Sequence, residues 1–316
     1  LLKSIEPDLI LSVHPNFNGS ILNLLEDYKI NIPVVTLIAD LISISPLWAD
    51  PRLDYVICPT KESMYKSLEF GVPQQKLKML GFPIRSKFCN HIEKTSSQNN
   101  DYDTSKPLKC LIMSGGEGVG NMSTIAKILL KNFNCEIKII AGRNDILKRR
   151  LERTFLPRFK DKVRVYGFVQ EIQELMLDSD IAFTRGSPNV MLEAVSCNVP
   201  LIITGALPGQ EEGNPAFMES YNLGIVCKDL KNLRSIVSNL LADNAENLNQ
   251  IKQSQRDFRN PKAARDIVDF IIGIDGSKNK NIPEISTRFS AKDRTKVLVA
   301  KLKEARINLD KIKTRR

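Results

Sequence analysis

The sequence predicts an α/β protein of two Rossmann-like domains facing a cleft, followed by a basic helical tail. Three observations carry this. Short apolar runs alternate with stretches of helical periodicity along most of the chain. The runs are almost continuously apolar, as in parallel strands covered on both faces. One polar stretch, 87–106, interrupts the alternation and divides it into two blocks.

The elements follow in order. Residues 9–13 read as a buried strand, and 20–28 as a helix with apolar residues at 21, 24 and 25. Residues 34–38 and 55–58 are the next strands. Residues 60–70 form a helix, with Thr60 able to cap it and Gly71 able to end it. After the polar stretch come a strand at 108–113, a helix at 119–133, a strand at 136–141 and a helix at 145–155. Then follow 163–166 (strand), 171–177 (helix), 180–184 (strand), 190–196 (helix) and 201–204 (strand). Two or three helices close the body between 230 and 272. This places a partial N-terminal domain at 1–88, a linker at 89–106, a second domain at 107–258, a closing helix at 259–272 and the tail at 273–316. Ligands of such sheets bind beyond the carboxyl ends of the strands, so the chemistry is sought there.

Composition narrows the function classes. The chain has 316 residues, 42% hydrophobic and 26% charged, the profile of a folded protein. Its longest apolar stretches, 32–44 and 199–207, are broken by Asp40, Pro200 and Gly205, short of the ~18 residues of a membrane span. Residue 1 is Leu, which predicts a processed or truncated chain without a signal peptide. The net charge is +10, and 13 basic against 5 acidic residues in 273–316 supply most of it. A nearly neutral body disfavours nucleic-acid binding and leaves the tail to meet an acidic surface. Six scattered cysteines with no CxxC pair predict buried, reduced thiols. Two distant histidines, His14 and His91, make no metal site.

Three glycine-rich loops each follow a strand of the second block. Ser114-Gly-Gly-Glu-Gly-Val-Gly-Asn121 precedes a helix, where backbone N–H groups approach an anion. It is neither a P-loop nor a GxGxxG fingerprint. Arg185-Gly-Ser-Pro-Asn189 opens another helix, with Glu193 one turn inside it. A carboxylate there accepts ribose hydroxyls or simply favours the helix dipole. Gly205 through Asn214 offers Gln210, Glu211 and Asn214 to sugar hydroxyls, or forms a polar surface loop.

Together these residues resemble glycosyltransferase family 28, and within it the diacylglycerol branch of monogalactosyldiacylglycerol synthases and processive diacylglycerol glucosyltransferases. The resemblance runs from Ser12-Val-His-Pro15 and Asp40 through Pro46-Leu-Trp48 to Gly81-Phe-Pro-Ile-Arg85. It continues in Gly115-Gly-Glu-Gly-Val-Gly120, Gly142-Arg-Asn144, Gly167-Phe-Val169, Glu193-Ala194 and Gly209-Gln-Glu-Glu-Gly-Asn214. It implies a GT-B fold and an inverting transfer of galactose or glucose from UDP-galactose or UDP-glucose to diacylglycerol or a related lipid, with no metal and no cofactor. The implied donor-binding residues are Gly115, Gly116, Glu117, Gly142, Arg143, Asn144, Phe168, Val169, Arg185, Ser187, Asn189, Glu193, Gln210, Glu211 and Asn214. Glu193 would take the ribose, the 185–190 turn the diphosphate, Phe168 and Val169 the uracil, and Gln210 and Glu211 the sugar. His14 and Asp40, each just after a strand of the first block, are the candidate catalytic residues.

The chain departs from the family pattern at Ser45, where a His is usual, and at Ser187, Asn189 and Val190, where Gly, Gly and Thr are usual. The family's first strand and its His-bearing glycine loop would lie upstream of Leu1. These departures predict donor binding with poor turnover. Asp178-Ser-Asp180 mimics a metal-binding DxD, but it precedes a strand without acidic neighbours.

In the tail, Leu298, Leu302, Ala305, Leu309 and Ile312 are spaced four, three, four and three, with basic residues between them. This predicts an amphipathic basic helix, suited to an anionic membrane surface, a coiled coil or the body itself. The expected location is peripheral, on the cytoplasmic face of a membrane or on a plastid envelope. The rival readings are transfer to another lipid-linked acceptor such as a peptidoglycan precursor, a non-catalytic UDP-sugar- or membrane-binding module, and RNA binding through the tail.

Overall fold

The computed structural model describes residues 2–90, 102–113, 121–208 and 211–276. The first block folds around a parallel sheet of β1 (Ile10–Ser12), β2 (Val34–Leu37), β3 (Tyr55–Cys58) and β4 (Leu77–Met79), in the spatial order 1-2-3-4. Its helices are α1 (Leu2–Ile5), α2 (Pro15–Asp27) and α3 (Lys61–Glu69). Strand alternation sorts the side chains. Val34, Val56 and Cys58 pack with Leu22 and Leu25 of α2, while Val35 and Ile57 face the other way.

The second block folds around β5 (Leu108–Met113), β6 (Cys135–Ile140), β7 (Val163–Tyr166), β8 (Ile181–Thr184), β9 (Leu201–Ile203) and β10 (Gly224–Val226). These are all parallel, in the order 10-9-8-5-6-7. The connecting helices are α4 (Met122–Asn132), α5 (Asp145–Phe159), α6 (Ile172–Leu177), α7 (Pro188–Ser196) and α8 (Asn214–Ser220). Then follow α9 (Leu233–Phe258) and α10 (Ala263–Ile272). The chain winds outward from β5 in one direction, then returns to β8 and winds in the other. The crevice between the carboxyl ends of β5 and β8 is therefore the topological switch point.

Two features join the blocks. Leu41 and Phe88 from the first block are buried in the core beneath α7, beside Leu111, Ala182 and Val195. In the opposite direction, the chain leaves α9 and lays α10 across the first sheet, where Ile267 packs on Val35 and Ile57. Tyr55 and Phe270 meet edge to face there, 5.2 Å between centroids. The closing helix thus covers the first sheet rather than the second.

Most predicted elements are present, with shifted ends. Helix α2 starts at Pro15, five residues before the predicted start. Proline is pre-set for a first helical position, and His14 caps the helix by accepting a bond from the Asn16 N–H. Strands β4 and β10 and helix α8 were not predicted; at three to seven residues they are too short to show a period. Helix α9 is two helical pieces joined at residues 242–245, where Asp243, Asn244 and Ala245 take positive φ.

Candidate active site

The carboxyl ends of β5 and β6 supply an apolar floor, Met113 and Ile140. The loops after β6 and β7 supply Gly142, Phe168 and Val169, and α7 supplies Val190 and Glu193. The segment leaving the first domain supplies Arg85 and Lys87. Together these line a cleft of about 530 Å³ between the two domains. That is within the size range of small-molecule sites.

Four of the predicted donor-binding residues, Gly142, Phe168, Val169 and Glu193, thus share one cavity. Gly142 takes φ +64°, a conformation that costs glycine little and lets the loop turn sharply after β6. Phe168 is more than half exposed, and its ring carries the Arg143 guanidinium 4.7 Å from the centroid. Its outer face is an open stacking platform. Asn144 instead caps α5, its Oδ1 accepting from Leu147 N at 2.9 Å.

Glu193 is the most buried of the charged side chains that line this cavity. Burial pushes its carboxyl above the ordinary value, and hydrogen bonds and charge from Arg85, with the charge of Lys87, oppose the rise. Arg85 donates from Nη2 at 2.7 Å and from Nε at 3.2 Å, both to Oε1. Oε2 therefore has no part in the ion pair. Lys87 donates to the Gln170 carbonyl and ion-pairs with Glu171 at 3.4 Å. In the sequence Arg85 stands out only as part of Gly81-Phe-Pro-Ile-Arg85, and Lys87 carries no local signal. Their role depends on an interdomain approach that local pattern does not encode.

The β8–α7 turn is held from below. Gly186 N donates to Gly205 O at 2.7 Å, and buried Asn214 donates from Nδ2 to Gly186 O at 2.9 Å. A Cβ on Gly186 would press on Pro215 Cδ at 3.3 Å. Ser187 stands at the N-cap without a side-chain cap bond, Pro188 opens the helix, and Asn189 is exposed in its first turn. The unpaired N–H groups of that turn make an anion-favouring end. Glu211 is buried, accepts from Leu207 N at 2.9 Å and lies 3.6 Å from Arg185 Nε. Glu211 and Asn214, which the sequence offered to sugar hydroxyls or to a polar surface loop, thus also brace the loops. Gly115, Gly116, Glu117 and Gln210 lie outside the described residues.

On the first domain, His14 follows β1 and Asp40 lies beyond β2, at the carboxyl ends of adjacent strands. Burial pushes the Asp40 carboxyl up. A 2.7 Å bond from Trp48 Nε1 to Oδ2 and the charge of His14 pull it back. His14 Nδ1 accepts the Asn16 N–H at 3.3 Å, so a neutral ring carries its proton on Nε2. His14 then presents a donor and Asp40 an acceptor. Ser45 caps the turn that positions Trp48, accepting from Leu47 N at 3.3 Å.

Asp178 ion-pairs with Lys109 at 2.6 Å and with Lys138 at 2.7 Å, and Asp180 accepts from Lys109 N at 2.8 Å. Among the described residues, no group of three or more potential ligands is arranged for a metal. No helix among them is long and apolar enough to cross a membrane.

Residues 1–84 match the Monogalactosyldiacylglycerol (MGDG) synthase family, and residues 121–243 match Glycosyl transferases group 1. The two blocks of the chain are thus each similar to glycosyltransferases. It is 27% identical over 278 residues to monogalactosyldiacylglycerol synthase 2, chloroplastic, of Arabidopsis thaliana, covering 84% of this chain and 59% of that protein. Against monogalactosyldiacylglycerol synthase 1, chloroplastic, of the same plant, it is 27% identical over 296 residues, covering 90% and 55%. The chain spans 51% to 59% of the length of such plant relatives. Among solved structures it resembles Acinetobacter baumannii MurG, with TM-score 0.62 and 15% identity over 86% of this chain and 76% of that one. The S. aureus MnaA–UDP co-structure is similar at TM-score 0.62, 15% identity, 85% and 76%. At these identities the structures establish the shared fold.

Proposed function

We propose that this chain binds a UDP-hexose in the cleft beneath β5 and β8 and transfers galactose or glucose to diacylglycerol or a closely related lipid. The observation that carries the reading is Glu193. It is a mostly buried carboxylate on the helix that follows the switch-point strand, beside an exposed aromatic ring and a helix N-terminus. Ribose, uracil and diphosphate need those three kinds of group. The plant relatives are named for synthesis of a galactolipid, and a structural neighbour was solved with UDP.

In this reading uracil lies on Phe168 and Val169, and Glu193 accepts from the ribose hydroxyls. The α7 N-terminus faces the diphosphate with Arg185 beside it. Asp40 takes the proton of the acceptor hydroxyl as its oxygen bonds to the anomeric carbon. The bond to the diphosphate breaks from the opposite side and UDP leaves with the electron pair, so the anomeric configuration inverts. His14 donates toward the acceptor. The site is peripheral to a membrane, where the lipid is found. Calorimetric titration with UDP, with product analysis from UDP-galactose and UDP-glucose in lipid extracts, tests it. Absence of UDP binding would favour the non-catalytic reading, with Val190 and Asn189 the first residues to revert.

A further inference from the structure

A second cavity, of about 270 Å³, lies on the hinge side of the molecule. Its walls come from both domains: Leu80 and Phe82 from the exit of β4, Val195 from α7, Phe217 from α8 and Phe258 from the end of α9. Tyr221 closes one side. Its ring packs 4.7 Å from Phe217 and 5.3 Å from Phe258, and its hydroxyl donates across the domain boundary to Glu62 Oε1 at 2.8 Å.

Thr60, Ser196 and Asn260 add neutral polar groups to the wall, and Arg259, at the crossing from α9 to α10, adds a cation. Its guanidinium is partly buried and makes no hydrogen bond or ion pair with any described residue. No carboxylate lines the cavity among the described residues, and the other charged residue there is also a cation, Lys61. Burial pushes the Arg259 pKa down, and Arg256 adds like-charge repulsion. A guanidinium is almost never fully buried without an anionic partner, and one partly removed from water, as here, is stabilised by an anion placed against it. Here no such partner comes from within the described chain.

We infer that this hinge cavity binds a single-headed amphiphilic anion, an apolar chain ending in a carboxylate or phosphate, with the head on Arg259 and the chain among Phe82, Val195, Phe217 and Phe258. The planar fork of arginine suits either oxyanion. The cavity accommodates about nine water-sized volumes at ~30 Å³ each, enough for a medium-length chain. The occupant touches both domains, so it fastens the hinge in the arrangement described. This site is separate from the donor cleft and does not depend on the assignment made there.

The test is calorimetric titration of the 316-residue chain with decanoate, decyl phosphate, decan-1-ol and inorganic phosphate in separate arms. Saturable one-to-one binding of decanoate or decyl phosphate is expected, at least tenfold tighter than decanol and inorganic phosphate; the tighter of the two identifies the head. Arg259→Gln should weaken that binding at least tenfold, whereas Arg256→Gln should leave it within twofold. A photoreactive decanoate should label peptides containing residues 80–84 and 258–260, a readout that needs no variant to fold. Equal affinity for decanol, an unchanged affinity in Arg259→Gln with a native melting profile, or labelling confined to other peptides would each overturn the assignment.

Discussion

Replacing Glu193 by Ala removes the carboxylate proposed to hold the ribose. Hydrogen bonds to a charged acceptor contribute about 1.5–3 kcal/mol. The free chain already spends Oε1 on Arg85, whose side chain is 62% exposed. Such an exposed pair is worth at most about 1 kcal/mol, which binding must give up where Arg85 is displaced. The net loss is then about 0.5–3 kcal/mol, roughly two- to 140-fold in Kd for UDP at 25 °C. Calorimetry with UDP and with its 2′,3′-dideoxy analogue isolates the contact. The variant should lose affinity for UDP and bind the dideoxy analogue as the wild type does. An unchanged Kd for UDP, or an equal loss with both ligands, would refute the ribose assignment.

Other consequences concern the first domain and the interfaces. Asp40→Asn should lower hexose transfer by ~10²–10⁴-fold with UDP affinity unchanged, measured as labelled lipid against calorimetry. Because burial raises the Asp40 pKa, transfer should fall as pH drops through a value above that of an ordinary aspartate; Trp48→Phe removes an opposing bond and should move that acid limb to higher pH. A Cβ at Gly213 would stand 2.7 Å from Ser43 Oγ and 3.2 Å from Ile42, so Gly213→Ala should cost about 1–3 kcal/mol in denaturant unfolding through overpacking between the domains. Burial tends to raise the Asp178 pKa, but bonds from Lys109 and Lys138 win and hold it below the ordinary value. The stability it contributes is present at neutral pH and lost as pH falls through that lowered pKa, so Asp178→Asn should lower Tm at pH 7 and converge with the wild type in acid. Deleting residues 286–316 should weaken sedimentation with anionic liposomes and leave neutral ones unaffected.

Much of the architecture was legible because a parallel strand buried on both faces announces itself. Residues 108–113 and 55–58 have no polar interruption beyond Lys109, and their bounds were read to the residue. Phase was harder where capping decides it: nothing periodic marks the start of α2, which Pro15 and His14 set locally. The placement of Glu193 followed from a strand–turn–helix order that any sequence reader can follow. The contents of its surroundings did not. Arg85 reaches Glu193 from 108 positions away, and Lys87 reaches Glu171 across the same boundary. Glu211 and Asn214 illustrate the opposite limit. Polar residues on a glycine-rich loop suggest a ligand, yet here one accepts a backbone N–H and the other donates to a backbone carbonyl. A buried loop must satisfy its own backbone first, and composition does not reveal which polar side chains that consumes.

The central claim is that a nucleotide-linked hexose is delivered from the second domain to a lipid held against the first. It is tested most directly by incubating the complete gene product with UDP-galactose or UDP-glucose, each labelled in the sugar, and diacylglycerol in mixed vesicles. Label is then followed in the lipid phase and UDP in the aqueous phase. The account predicts one UDP released per labelled, anomerically inverted glycolipid, at a rate lowered ~10²–10⁴-fold by Asp40→Asn and weakened at low donor concentration by Glu193→Ala. UDP-sugar that binds but never passes its hexose to diacylglycerol or any other lipid in the extract would contradict it.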